Sequence, residues 1–143
     1  MISILIPVYN QGEELKNCLN AIYAQTTTDY EIIIVNDRST EKLSSIIRRQ
    51  KEMFGNKLSL YHNQVNHGPP YTRNKAFRLS RGEFIIFCDA DVIMKSNMLD
   101  IMLENLRVRD DVSYAYSSFI WAWKKFKLWP YDEAKLKEML PKL

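Results

Sequence analysis

Only four glycines occur in this 143-residue chain, and none follows Gly82. That scarcity removes two nucleotide-binding devices. There is no G-x-G-x-x-G after the first apolar run and no G-x-x-x-x-G-K-[ST] anywhere. Cysteine is just as sparse. Cys18 falls on an apolar helical face and Cys88 ends an apolar run, so both read as reduced core thiols and a cytoplasmic setting is expected. No segment approaches the roughly 18 apolar residues needed to span a bilayer. Met1 to Val8 is apolar but lacks a basic leader and is too short for a signal peptide. Charge of one sign is missing too: 20 Lys and Arg against 17 Asp and Glu leave +3, too even to indicate nucleic acid. The two histidines, His62 and His67, have no second ligand at metal-binding spacing.

What is present is an alternation of strand and helix patterns, long enough for one domain with a proper core. Ile2 to Val8 reads as a buried strand. Asn10 with Glu13 resembles a capping box, and Leu15, Cys18, Leu19 and Ile22 follow at helical spacing. Glu31 to Asn36 is a second strand, too apolar to have a wet face. Ser39 or Thr40 caps a helix striped by Leu43, Ile46, Ile47 and Phe54, and Gly55-Asn56 ends it. Leu58 to His62 is a third strand, Asn63 to Tyr71 a polar loop, and Thr72 to Leu79 a helix. Arg81-Gly82-Glu83 turns into a buried strand, Phe84 to Cys88. A helix from about Asn97 to Arg107 turns Met98, Ile101, Met102 and Leu106 inward. Val112 to Trp123 reads as a strand or strand pair, and Asp132 caps a last helix that ends at Pro141.

Strands separated by helices predict an α/β fold with a mainly parallel sheet and helices on its faces. Ligands of such sheets bind beyond the carboxyl ends of the strands. Three polar clusters fall there: Val8-Tyr9-Asn10, Asn36-Asp37-Arg38-Ser39 and Asp89-Ala90-Asp91. In the last, two carboxylates end an apolar run and repel each other unless a cation is near. On an extended segment alternate residues point the same way, so both can reach one ion, and Ala90 leaves room for a ligand. Hard oxygen donors suit Mg2+ or Mn2+. The bland alternatives are a solvated loop with a capping aspartate for Asp89 and Asp91, and a turn for Asp37. Functionally, Asp37 can accept a hydrogen bond from a nucleobase, Tyr9 can offer it a stacking face, and Arg73 can pair with a diphosphate or with Asp37. A phosphatase of the haloacid-dehalogenase type is disfavoured, because its aspartate motif belongs on the first strand and needs a Gly-Asp motif downstream.

Taken in order, Ile4 to Asn10, Val35 to Thr40, Asn66-His67-Gly68 with Arg73-Asn74, and Gly82-Glu83 leading into Asp89-Ala90-Asp91 resemble the nucleotide-sugar-binding half of a family 2 inverting glycosyltransferase. The resemblance covers about residues 1 to 110 well and the remainder loosely. It implies the GT-A fold, a Rossmann-like three-layer αβα sandwich, as a single domain over 1–143. About 1–110 would be the donor core and 111–143 the start of a truncated acceptor region. It also implies an NDP-sugar donor, most often a UDP-sugar, with Mn2+ or Mg2+. Pro7, Val8 and Tyr9 would line the base and ribose pocket with Asp37 on the base. Gly68 and Arg73 would lie near the base or diphosphate. Asp89 and Ala90 would face the ribose side, and Asp91, with Asp89, would hold the metal.

The implied reaction moves the sugar to a saccharide or lipid-linked acceptor with inversion, in cell-surface polysaccharide biosynthesis. Arg38 departs from the family pattern, which often has Asp or Gly there. No catalytic base is found: Glu133 and Glu138 fall on an uncertain helix and Asp110-Asp111 on a turn. A binding module without transfer activity is therefore the alternative. The aromatic, basic stretch Trp121 to Trp129 reads first as packing for a missing neighbour and second as contact with the inner membrane surface.

Overall fold

Two runs of β-branched and aliphatic residues make the centre of the molecule: β1, Ile2–Val8, and β2, Tyr30–Asn36. Every residue of β2 is buried, which requires cover on both faces. β3, Leu58–His62, flanks β2, and β4, Phe84–Phe87, flanks β1. All three pairings are parallel, in the order β3-β2-β1-β4. The computed structural model describes residues 1–108, 113–115 and 117. The helices are α1, Gly12–Tyr23; α2, Ser44–Phe54; α3, Pro69–Leu79; and α4, Met98–Val108.

The register divides the sheet into two faces. Ile4 lies beside Ile32 and Ile86, and Leu5 beside Ile33 and Phe87. Alternation along each strand therefore puts Tyr30, Ile32 and Ile34 on one side, with Glu31, Ile33 and Val35 on the other. Tyr30 identifies the cover of the first face: its ring meets Phe54 of α2 edge-on and its hydroxyl donates to the Ile22 carbonyl of α1. Leu15, Cys18, Leu19 and Ile22 of α1 are all at 0% exposure, as their spacing predicts. On the second face Ala76 of α3 packs with Leu5, Ile33 and Val35. The result is the expected three-layer α/β arrangement.

A polar network stands at the amino ends of β1 and β2. Ser3 Oγ donates to Glu31 Oε1 at 2.7 Å, and the Gly82 amide donates to Ser3 Oγ at 2.8 Å. Arg81 donates to Glu31 through its backbone and its guanidinium. A Cβ on Gly82 would lie 2.6 Å from the Ser3 backbone nitrogen, so only glycine permits this approach. Burial alone would raise the Glu31 carboxyl, but the donors from Ser3 and Arg81 outweigh it and hold the group below the ordinary carboxylate range.

Several sequence expectations change. Gln11, not Asn10, precedes α1, and Leu43, not Ser39 or Thr40, precedes α2; the expected caps have other partners, described below. α3 begins at Pro69 rather than Thr72, because proline is well suited to the first helical turn, where an N–H would be unsatisfied anyway. β4 ends at Phe87 and is not buried: it pairs with β1 alone among the described residues, and Phe87 is 55% exposed. In α4 the buried residue is Leu99, while Ile101 is exposed and Met98, Met102 and Leu106 are half-buried. The chain divides into Met1–Ile101 and Met102–Leu143. The expected last helix, the segment Trp121 to Trp129, Asp110, Asp111, Glu133 and Glu138 lie outside the described residues, as does most of the expected strand from Val112 to Trp123.

Candidate functional site

Where the parallel strands end, the chain leaves the sheet side by side. The Asp37 amide donates to the Val8 carbonyl, the Asn63 amide to Asn36, and the Cys88 amide to Leu5, at 2.8–3.0 Å. Those three bonds bring the segments after β1, β2, β3 and β4 to one rim. Pro7, Val8, Tyr9, Asp37, Gly68, Arg73, Asp89, Ala90 and Asp91 all stand at these strand ends or on the loop and helix that follow β3.

The loops after β1 and β2 are tied together by Asn10. Its amide donates to Ser39 Oγ at 3.0 Å, and its Oδ1 accepts from both the amide and the hydroxyl of Thr40. Gly12 N donates to Glu41 Oε2 at 2.9 Å. Asn10 and Arg38 both adopt positive φ, 51° and 63°, and Arg38 donates to the Gln64 carbonyl. Asn10, Ser39 and Thr40 thus fix this double loop rather than cap helices. Tyr9 leaves it 47% exposed, while Val8 is buried and Pro7 half-buried.

Asp37 lies deeper, at 3% exposure. Its Oδ1 accepts from Asn63 Nδ2 at 2.7 Å and from the His67 amide at 3.0 Å, and its Oδ2 from the Gly68 amide at 2.7 Å. Burial alone would raise this carboxyl, but the donors from Asn63, His67 and Gly68 outweigh it and hold it below the ordinary range. Gly68 has φ +82°, which residues with a Cβ rarely adopt, so the turn needs glycine here. Thr72 Oγ1 donates to the Gly68 carbonyl and anchors α3 to the same turn. The His67 ring stacks on Tyr71 at 4.1 Å.

Arg73, one residue further along α3, forms an ion pair with Asp89 at 2.5 Å. The pairing with Asp37 that the sequence allowed is not formed. Asp89, Ala90 and Asp91 are not extended either. The Val92 amide donates to the Asp89 carbonyl at 3.1 Å and closes a turn, with Ala90 fully buried and Asp91 exposed. Beneath the turn, Cys88 Sγ and Cys18 Sγ lie 3.7 Å apart, both reduced. The hydrogen bond with Cys18, then burial, raises the Cys88 thiol far above its usual value, so it stays protonated. Gln25, after α1, accepts from the Leu99 amide and donates to the Lys95 carbonyl, holding the segment after the turn.

Asp89 and Asp91 supply hard oxygen donors: Asp89 is paired with Arg73, and Asp91 has no hydrogen-bond or ion-pair partner among the described residues. No group of three or more His, Cys, Asp or Glu side chains able to hold a metal occurs among those residues. Such a donor set fits a divalent ion that brings oxygen ligands with it, as a diphosphate does. The sequence reading missed Asn63, Thr72 and Lys75. Asn63 follows β3 directly, as Asp37 follows β2, which is the available signal, but it opens a run of polar residues in which no single one stands out.

The family model described as glycosyl transferase family 2 matches residues 3–142. An uncharacterized glycosyltransferase of Escherichia coli, YibD, is 30% identical over 124 residues, covering 87% of this chain and 35% of that protein. A poly(ribitol-phosphate) beta-glucosyltransferase of Bacillus spizizenii is 37% identical over 100 residues, covering 68% of this chain and 16% of that protein. The chain thus spans well under two thirds of either relative. Among solved structures, S. aureus TarS 1-349 in complex with UDP-GlcNAc superposes with a TM-score of 0.70 at 24% identity, covering 75% of this chain and 31% of that one, a likeness of fold. The mannosyltransferase PcManGT from Pyrobaculum calidifontis, in complex with GDP-Man and Mn2+, gives a TM-score of 0.58 at 28% identity, covering 63% of this chain and 27% of that one.

Proposed function

Because this chain belongs to glycosyl transferase family 2, we propose that its rim binds the nucleotide-sugar donor, most often a UDP-sugar, with Mn2+ or Mg2+. The observation that carries the reading is the convergence of Tyr9, the Asp37–Gly68 turn and the Arg73–Asp89 pair on one edge of the sheet. Pro7, Val8 and Tyr9 would border the base and ribose, with Asp37 and Gly68 at the base. Arg73 would face the diphosphate, Asp89 and Ala90 the ribose side, and Asp91 with Asp89 the metal. When bound, the ion would neutralise charge building on the departing diphosphate. The chain's own part is to orient the donor and fix its leaving group.

In the overall transfer, an acceptor hydroxyl oxygen attacks the anomeric carbon while the bond to the diphosphate breaks and its electron pair leaves with the phosphate oxygen. The hydroxyl proton passes to a base. Attack opposite the leaving group gives inversion. The acceptor would be a saccharide or lipid-linked sugar in cell-surface polysaccharide biosynthesis, and the setting cytoplasmic, peripheral to the inner membrane. Among the described residues no helix is long and apolar enough to cross a membrane. The alternative reading is donor binding without transfer.

Calorimetry with UDP tests the site. The wild-type chain should bind UDP at least tenfold more tightly with Mn2+ than without, and Asp91→Ala should abolish that gain. Metal-dependent binding that survives Asp91→Ala unchanged refutes the assignment. Release of free sugar or transfer from UDP-sugars separates the enzyme from the binding module.

A further inference from the structure

We propose that Asn63 is a positioning residue of the donor pocket: its side-chain amide couples Lys75 on α3 to Asp37 at the end of β2 and so sets the His67–Gly68 turn. The inference rests on the donor-site reading above. Asn63 is buried, and both ends of its amide are in use. Nδ2 donates to Asp37 Oδ1 at 2.7 Å and to Thr72 Oγ1 at 3.2 Å. Oδ1 accepts from Lys75 Nζ at 2.8 Å, and the same ammonium donates to the His62 carbonyl.

Charge fixes the orientation. With the amide flipped, its oxygen would face the Asp37 carboxylate and its NH2 group would face the ammonium, two repulsive contacts in place of two attractive ones. An amide has a donor end and an acceptor end, so it bridges a carboxylate and an ammonium without adding charge. Asp37 in turn accepts from the His67 and Gly68 amides, so what holds Asp37 also holds the turn. Thr72 closes the circuit, accepting from Asn63 and donating to the Gly68 carbonyl. The ends of β2 and β3, the turn and α3 therefore share one buried amide.

The charged and titratable groups around Asn63 are Asp37 just after β2, Lys75 from α3, His62 beside it on β3, and His67 from the turn. Asn63→Asp places a second carboxyl against Asp37. Two carboxyls at hydrogen-bond distance share a proton and hold it to a higher pH than either would alone. At low pH the shared proton restores a hydrogen bond to Asp37; at high pH the two groups repel. Asn63→Ala has no such proton. A residue that merely fills space would make no difference between the two variants' pH responses.

The test is UDP binding in the presence of Mg2+ at pH 5 and pH 8, each variant expressed relative to wild type at the same pH. That ratio cancels titration of the UDP phosphate. Asn63→Ala should bind about tenfold more weakly at both pH values, as loss of a bond to a charged group implies. Asn63→Asp should lie within about threefold of wild type at pH 5 and lose more than about tenfold at pH 8. Equal ratios for Asn63→Asp at the two pH values overturn the proposal, as does wild-type affinity in both variants. If Asn63→Asp fails to fold at pH 8, Lys75→Met replaces it. That change frees the acceptor end of the amide and should weaken UDP about threefold; unchanged affinity overturns the coupling. A wild-type chain silent to UDP refutes the donor reading itself and with it any positioning role. A normal wild-type isotherm without the pH split refutes the role of Asn63 alone.

Discussion

Arg73 and Asp89 meet at 2.5 Å with 33% and 53% of their side-chain surfaces open to water. A pair this exposed contributes about 1 kcal/mol at most, so a divalent cation with a diphosphate can replace it. The arginine occupies one of the two carboxylates that would hold the metal, and its charge repels an incoming cation. Arg73→Met should therefore tighten Mn2+ binding to the nucleotide-free chain about two- to fivefold, the range that 1 kcal/mol allows, while weakening UDP. Electron paramagnetic resonance of free Mn2+ measures the first effect and calorimetry the second; Mn2+ binding left unchanged or weakened would count against the exchange. Asp37, Gly68, Arg73, Asp89 and Asp91 could be picked out in the sequence because each stands at a strand end or in a distinctive short motif. Asn63 and Lys75 could not. Their importance lies in a partner 26 residues away for one and 12 for the other, and the place of Asn63 after β3 does not by itself set it apart from the solvated polar residues that follow it.

The elements are held in register at the opposite end of the sheet by Glu31, which takes donors from Ser3 and Arg81 and thereby ties β2 to β1 and to the turn before β4. Its folded-state carboxyl titrates below the ordinary range, whereas in the unfolded chain it titrates at the ordinary value. Such a group stabilises the fold above the unfolded value, and the contribution is lost as pH falls through the folded one. Wild-type stability should therefore decline below about pH 4. Glu31→Gln should cost about 1–3 kcal/mol at neutral pH and show a flatter acid limb. Thermal melts between pH 3 and 8 measure both, and parallel limbs would contradict the assignment. β1, β2 and α1 were legible because their apolar periods are long and unbroken. β4 and α4 were read as too buried, since a run such as Phe84 to Phe87 has the same composition at an edge as at the centre. Which of the two it occupies is decided by its neighbours, not by its residues.

For the molecule as a whole, the parallel order β3-β2-β1-β4 gathers chemistry at the carboxyl end and structural bonding at the amino end. Every residue of the proposed site belongs to the unit Met1–Ile101. Alternating periods made the layering legible from the sequence. The Asp89–Val92 turn was not, because it contains a buried Ala90 that reads in sequence as a small spacer. The central claim is that a nucleoside diphosphate binds at the carboxyl end of this sheet. A 15N-edited NMR titration of the chain with UDP and Mg2+ tests it residue by residue. The account predicts saturable shifts at Tyr9, Asn10, Arg38, Gly68, Arg73 and the Asp89–Asp91 turn, with Ser3, Glu31 and Gly82 unmoved. Shifts centred on Ser3, Glu31 and Gly82, or none at saturating UDP, would contradict it.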